Sequence, residues 1–202
     1  MKGTTRAVLI TLAVLVLLVV IIFGAFRNAY NGMVELEESV NAAWSQVENQ
    51  YQRRYDLIPN LVETVRGFAD QERETLTAVT EARSRAGGVM EMDESLLEDP
   101  AAFERFQEAQ AGLGSALQRL LVVTEDYPEL RSNENFLALQ DQLEGTENRI
   151  AVERRRFNEA AQRYNVYIRQ FPRVIIANMS GFDPKAYFAA TTGADEAPQV
   201  EF

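Results

Sequence analysis

"RRYDLIPNLVETVRGFADQE" spans residues 53–72 and sets Pro59 in the middle of an apolar-periodic run. Proline lacks a backbone donor and disfavours helical geometry at the residue before it, yet it sits well in the first turn of a helix. The local reading is a boundary at Ile58 and a new helix opening at about Pro59. Upstream, Met33, Leu36, Val40, Ala43, Val47, Tyr51 and Ile58 keep steps of three or four, with one longer step near Arg54 and Tyr55. Downstream, Leu61, Val65, Phe68, Leu76 and Val79 form a second stripe, which Gly87-Gly88 should close near Ala86. Two stripes meeting at a stop make an antiparallel pair.

The rest of the chain repeats the pattern. GGVMEMDESLLEDP, residues 87–100, is acidic and glycine-led and reads as a connection. Asp99 before Pro100 is a cap followed by a first-turn proline. Phe103, Phe106, Gln110, Leu113, Leu117, Leu120 and Thr124 then alternate by three and four until Tyr127-Pro128. A fourth helix opens at Ser132 or Asn133. It carries Phe136, Leu139, Leu143, Thr146, Ile150, Glu153, Phe157, Ala160, Tyr164 and Tyr167 in a seven-residue rhythm, and it should stop at Phe171-Pro172. The expected fold is all-α: an antiparallel up-and-down four-helix bundle over residues 27–170, preceded by one N-terminal transmembrane helix.

That first helix is AVLITLAVLVLLVVIIFGAF, residues 7–26, opening at Ala7 and closing at Phe26, with Thr11 its only polar side chain. Its length matches the hydrocarbon layer, so membrane lipid is the expected partner of this stretch. A cleaved signal peptide has a shorter apolar region and a small-x-small cleavage pattern, and Phe23 before Ala25 and Arg27 before Ala29 both break that pattern. A retained anchor is expected after a short tail of residues 1–6. Lys2 and Arg6 lie on one side and Arg27 on the other, a bias that favours an extracytoplasmic soluble part at the cell membrane.

The chain has 202 residues, 47% of them apolar, a formal charge of −10, and neither cysteine nor histidine. Disulfides, thiolate metal sites, Ser-His triads and the usual neutral-pH proton shuttle are thereby removed, and neither cofactor nor metal is expected. The acidic balance argues against nucleic acid as a partner. Arg53-Arg54 and Arg154-Arg155-Arg156, set among acids, read as solvated faces. Glu153 and Glu72 fall on apolar stripes; a diiron bundle needs Glu-x-x-His, so pairing with Arg149, Arg156 or an arginine of another helix is the expectation. Trp44, Tyr51 and Tyr55 read as core.

Three features remain as candidate interaction sites. Arg53, Asp56 and Asn60 could form an exposed recognition cluster at the end of the bundle, or Asp56 and Asn60 could simply satisfy backbone groups around the turn. FPRVIIANMSGFDPKAYF, residues 171–188, is too apolar for a free tail. It could pack on the bundle, lie at the membrane surface near the headgroups, or offer Tyr187 and Phe188 to a protein partner. Beyond it TTGADEAPQVEF is polar, with Val200 and Phe202 as possible contacts.

Tyr30-Asn31, Val40-Asn41-Ala42-Ala43-Trp44-Ser45, the stretch from Arg53 on to Glu81-Ala82-Arg83, and LEGTENRIAVERRRFNEAAQRYN at 143–165 together resemble the LemA family. Phe171-Pro172, Gly181-Phe182, Tyr187-Phe188 and the terminal PQVEF add to the likeness, which covers nearly the whole chain. The resemblance implies a bacterial membrane protein with one N-terminal transmembrane helix, a four-helix soluble domain, and no established activity, cofactor or catalytic residue. It also implies a short N-terminus outside the cell, opposite to the charge bias. Phe68 and Phe157 stand where the family often has tyrosine. The function expected is that of a membrane-anchored scaffold or adaptor acting by protein contact. A ligand-sensing bundle would need a polar pocket between helices, and a carboxylate-only enzyme such as a glycoside hydrolase would need two close acids in a deep cleft.

Overall fold

The computed structural model describes residues 2–69, 71–90 and 94–189. Asp70, positions 91–93 of the acidic connection, and residues 190–202 with Val200 and Phe202 lie outside the described residues, as do the side chains of Lys2 and Arg6. The described chain is helical and contains no strand. Its elements are α1 (Lys2–Phe68), α2 (Arg73–Met90), a 3-10 turn (Glu94–Leu97), α3 (Pro100–Val123), a second 3-10 turn (Thr124–Asp126), α4 (Pro128–Arg131), α5 (Glu134–Arg169) and α6 (Arg173–Ser180).

Pro59 does not stop the first helix. The expected boundary at Ile58 is overturned: α1 runs through Pro59 to Phe68, and the reversal falls at Ala69–Glu72, where the Glu72 N–H reaches the Ala69 carbonyl at 3.0 Å. Interior proline costs about 3 kcal/mol, in part by leaving the carbonyl four residues back without its donor. Here that carbonyl belongs to Tyr55, and Arg83 Nε of α2 donates to it at 3.2 Å while the guanidinium lies 3.7 Å over the Tyr55 ring. Ile58, Leu61, Val62 and Val65 are all buried around the proline, and at about 1.5–3 kcal/mol per buried side chain they outweigh its cost. Phe68, expected in the stripe, is 41% exposed because the chain leaves the helix there.

The second helix also differs at both ends from its expected span of Pro59 to Ala86. It begins at Arg73 and continues through Gly87-Gly88. A Cβ on Gly87 would stand 2.9 Å from the Tyr55 ring, so this glycine makes room for a tyrosine and does not end a helix. Glu72, expected to pair with an arginine, accepts from the Tyr127 hydroxyl at 3.0 Å, which holds that phenol above its usual pKa. Glu153 is paired with Arg156 at 2.8 Å.

The other two long helices follow their sequence signals. Asp99 Oδ1 caps α3 through the Ala101 N–H at 2.9 Å with Pro100 in the first turn, and Asn133 Oδ1 caps α5 through the Phe136 N–H at 3.0 Å. Every member of the α3 stripe from Phe103 to Thr124 is buried.

The chain divides into two compact units. One contains the described residues within 1–41 and 160–184. There Val8 to Phe23 leave their large apolar side chains 48–67% exposed, a stretch long and apolar enough to cross a membrane. Past it, Gly32 receives the Tyr167 ring so closely that any Cβ would clash, Arg173 stacks on Tyr167 at 3.9 Å, and Phe182 meets Tyr30 edge-on at 5.5 Å. Gly181, at φ 75°, ends α6 in the left-handed region.

The other unit holds the described residues within 42–159 and 185–189. Trp44 packs against Phe103, Phe106, Phe157 and Phe188 at 5.5–6.0 Å, and Tyr51 joins at Phe106. A separate apolar cluster draws Ile58, Leu61 and Val65 from α1, Leu76 and Val79 from α2, Leu113, Leu117 and Leu120 from α3, and Phe136 and Leu143 from α5. Partners Trp44–Phe157 and Arg54–Glu147 run in opposite numerical order on α1 and α5, so these stretches are antiparallel; Trp44–Phe103 and Arg54–Gln110 rise together, so α1 and α3 run parallel here.

Candidate functional site

Between the aromatic and aliphatic clusters lies a polar layer that fills the long step in the α1 stripe. Arg54 occupies it, only 3% exposed, so the reading of Arg53-Arg54 as a solvated pair holds for Arg53 and fails for its neighbour. A buried guanidinium needs a compensating charge and hydrogen bonds. Arg54 donates to Glu147 Oε1 at 2.8 Å, to Gln110 Oε1, and to the Gln110 carbonyl at 3.4 Å, and it stacks at 5.0 Å on Tyr51. The satisfaction is incomplete: Arg54 Nε and Gln110 Nε2 are buried with no hydrogen-bond partner. Burial pushes the Tyr51 phenol above its usual pKa, against the opposing pull of Arg154 and Arg54.

This layer forms the floor of an open groove of about 550 Å³ between α3 and α5. Glu104, Gln107, Ala111, Ser115 and Gln118 line it at helical spacing from α3; Glu147, Ile150 and Arg154 line it from α5. At one end the chain itself is gripped. Asn158 holds the Phe188 backbone from both sides, Oδ1 accepting from its N–H at 2.9 Å and Nδ2 donating to its carbonyl at 3.0 Å. Gln107 Oε1 accepts from the Ala189 N–H at 2.9 Å, and Arg154 donates to the Ala189 carbonyl at 3.2 Å while lying 4.5 Å over the Phe188 ring. Lys185 pairs with Glu98 at 2.9 Å. Carboxamides that pair with both a backbone donor and a backbone acceptor can hold extended peptide regardless of its side chains, leaving selectivity to the pocket beneath.

The expected interaction residues fall in different places. Arg53, Asp56 and Asn60 lie along one exposed face of α1, in the helix and not at its end, so neither the turn-capping reading nor the end-of-bundle position survives. Asp56 Oδ1 accepts from Gln52 at 2.8 Å, and the Asn60 carbonyl accepts from Thr64 at 2.8 Å. Tyr187 is 45% exposed, whereas Phe188, 5% exposed, is a plug in the aromatic cluster. The sequence reading missed Arg54, Gln107, Arg154 and Asn158 as a set. The irregular step at Arg54 and Gln110 on the α3 stripe are traces of the buried layer alone, and nothing in the sequence pattern marks Gln107, Arg154 or Asn158.

Fold and site define an all-helical protein with one long apolar N-terminal helix and an open polar groove. The chain belongs to the LemA family, whose model matches residues 43–202. It is similar to the magnetosome protein MamQ of Magnetospirillum gryphiswaldense, 30% identical over 203 residues, covering 91% of this chain and 73% of that one. It is also similar to magnetosome protein MamQ 2 of Paramagnetospirillum magneticum, 29% identical over 209 residues, covering 96% of this chain and 76% of the relative.

Proposed function

We propose that the chain is a single-pass membrane protein, held by residues 7–26, whose four long helical segments form an antiparallel up-and-down bundle that works as a scaffold by contact with another protein. The observation that carries this reading is the grip on the extended backbone at Phe188 and Ala189 beside an open polar groove. Side-chain amides that hold one extended segment offer the same chemistry to another. The exposed face bearing Arg53, Asp56 and Asn60, and the exposed Tyr187, are further contact surfaces. The lysine and arginine bias around the anchor favours an extracytoplasmic bundle. The MamQ relatives are named for a cellular structure and not for a reaction, which suits a contact role.

The groove volume also lies in the range of small-molecule sites, which favours ligand sensing as the second reading. A photo-crosslinking residue at Gln118 in the full chain, activated in intact membranes, separates the two. A discrete protein adduct that is absent when the probe sits at exposed Arg131 supports the scaffold. Absence of any adduct, together with saturable thermal stabilisation by a small polar metabolite, replaces it with the sensor.

A further inference from the structure

The unit formed by the described residues within 1–41 and 160–184 carries an apolar face left exposed among the described residues. Phe171, Ile175 and Met179 recur every fourth residue and are 82%, 51% and 75% exposed, while Ala177 on the other side of α6 is buried. Ile175 and Met179 share one face of the eight-residue helix and Phe171 stands exposed in the turn just before it; large apolar side chains so presented are costly in water and are characteristic of an interfacial segment.

Position and charge say what covers them. The apolar span ends at Phe26, and Tyr30 stands one helical turn, about 6 Å of rise, farther on. Tyr30 touches Phe182, whose N–H bonds the Ala177 carbonyl at 3.1 Å, so the last turn of α6 is tied to the first turn of α1 beyond the span. Residues 160–184 contain Arg163, Arg169 and Arg173 against Asp183 alone, in a chain of net charge −10. The α1 part of the same unit past the span carries Arg27 against Glu35, Glu37 and Glu38, so its basic side chains are concentrated in the stretch that leads into α6, the part suited to anionic headgroups.

We infer that α6 and the turn before it form a second membrane contact: Ile175 and Met179 of the helix, with Phe171 of the turn, enter the headgroup and upper acyl region of the membrane that α1 crosses, with Arg169 and Arg173 at the phosphates. The inference rests on the anchor reading and goes beyond it, because it fixes how the part next to the bilayer is held against the surface.

The chain has no cysteine, so single labels are clean. Met179→Cys, Val20→Cys and Gln118→Cys, each carrying an environment-sensitive nitrobenzoxadiazole dye, are reconstituted as the full chain into vesicles of phosphatidylcholine and phosphatidylglycerol with headgroup-proximal spin-labelled lipid. Blue-shifted emission at 179, with quenching at least half that at 20 and several-fold that at 118, is the expected result. Quenching at 179 no greater than at 118, with 20 still quenched, overturns the inference and leaves the anchor standing. A blue shift at 179 without lipid quenching means that protein covers the face, which also overturns it. No quenching at 20 removes the anchor reading and this inference with it. Ile175→Cys repeats the test at an independent position, so a folding defect of one variant does not decide the outcome.

Discussion

Arg54 is a cation inside an apolar stripe, and its partners differ in how they would tolerate its loss. Glu147 is 43% exposed and can turn to water, but Gln110 is 4% exposed and would keep an unpaired amide. Arg54→Met should therefore cost roughly 1–3 kcal/mol, mostly through Gln110. The pair Arg54→Met with Gln110→Leu should recover to within about 1 kcal/mol of the parent, because an apolar layer replaces a half-satisfied polar one. Denaturant titration followed by Trp44, the only tryptophan, measures both; a double variant no better than the single would sink the account. Tyr51 gives a pH prediction. Its folded pKa is raised by burial, so the native state retains a proton that the unfolded chain loses near the ordinary phenol value of about 10. The stability it supplies is complete below that value and is lost as pH rises toward and through the folded pKa. Tyr51→Phe should flatten this alkaline decline, as read by unfolding midpoints on either side of pH 10.

At the scale of the element, α1 survives its proline because a donor from α2 replaces the missing one. Arg83→Ala should cost about 1–2 kcal/mol in the parent and at least about 1 kcal/mol less in a Pro59→Ala background, where residue 59 regains an N–H for the Tyr55 carbonyl. Equal costs in the two backgrounds would show that Arg83 acts only through the Tyr55 ring. The adjacent glycines of α2 should respond with opposite signs. Gly88→Ala enters open space and should stabilise by about 0.5–1 kcal/mol through helix propensity. Gly87→Ala must displace a tyrosine pinned by Arg83 and should destabilise by at least about 1 kcal/mol. Calorimetric midpoints of the two variants check the contrast.

For the whole molecule, the exposed apolar side chains from Val8 to Phe23 are the largest demand on the surroundings. Twenty residues of this character hold a chain in lipid effectively irreversibly, whereas an interfacial helix binds reversibly. The full chain should stay with membranes through alkaline carbonate washing. A form without residues 8–26 should leave them under that treatment, yet keep weak, salt-sensitive binding to anionic vesicles through α6. Release of the full chain by carbonate would dismiss the anchor. Much of the site was illegible beforehand, since Gln107, Arg154 and Asn158 come together only when α3, α5 and residues 185–189 meet. Arg154 and Asn158 stand one turn apart on α5, but nothing in that common spacing marks them, together with Gln107 of α3, as one grip on a backbone.

The apolar span, the caps at Asp99 and Asn133 and the buried stripe of α3 were determined by the sequence alone, because hydrophobic periodicity and capping act over a few neighbouring residues. The tertiary structure decided the places where a local rule met a distant partner. Pro59 reads as a stop until Arg83 reaches Tyr55, Gly87 reads as an end until a tyrosine ring needs its space, and Arg54 reads as solvated until Gln110 and Glu147 close around it. A carbonyl's missing donor, a cavity beside a backbone and a countercharge can each be supplied from anywhere in the chain, and only packing shows which residue supplies them.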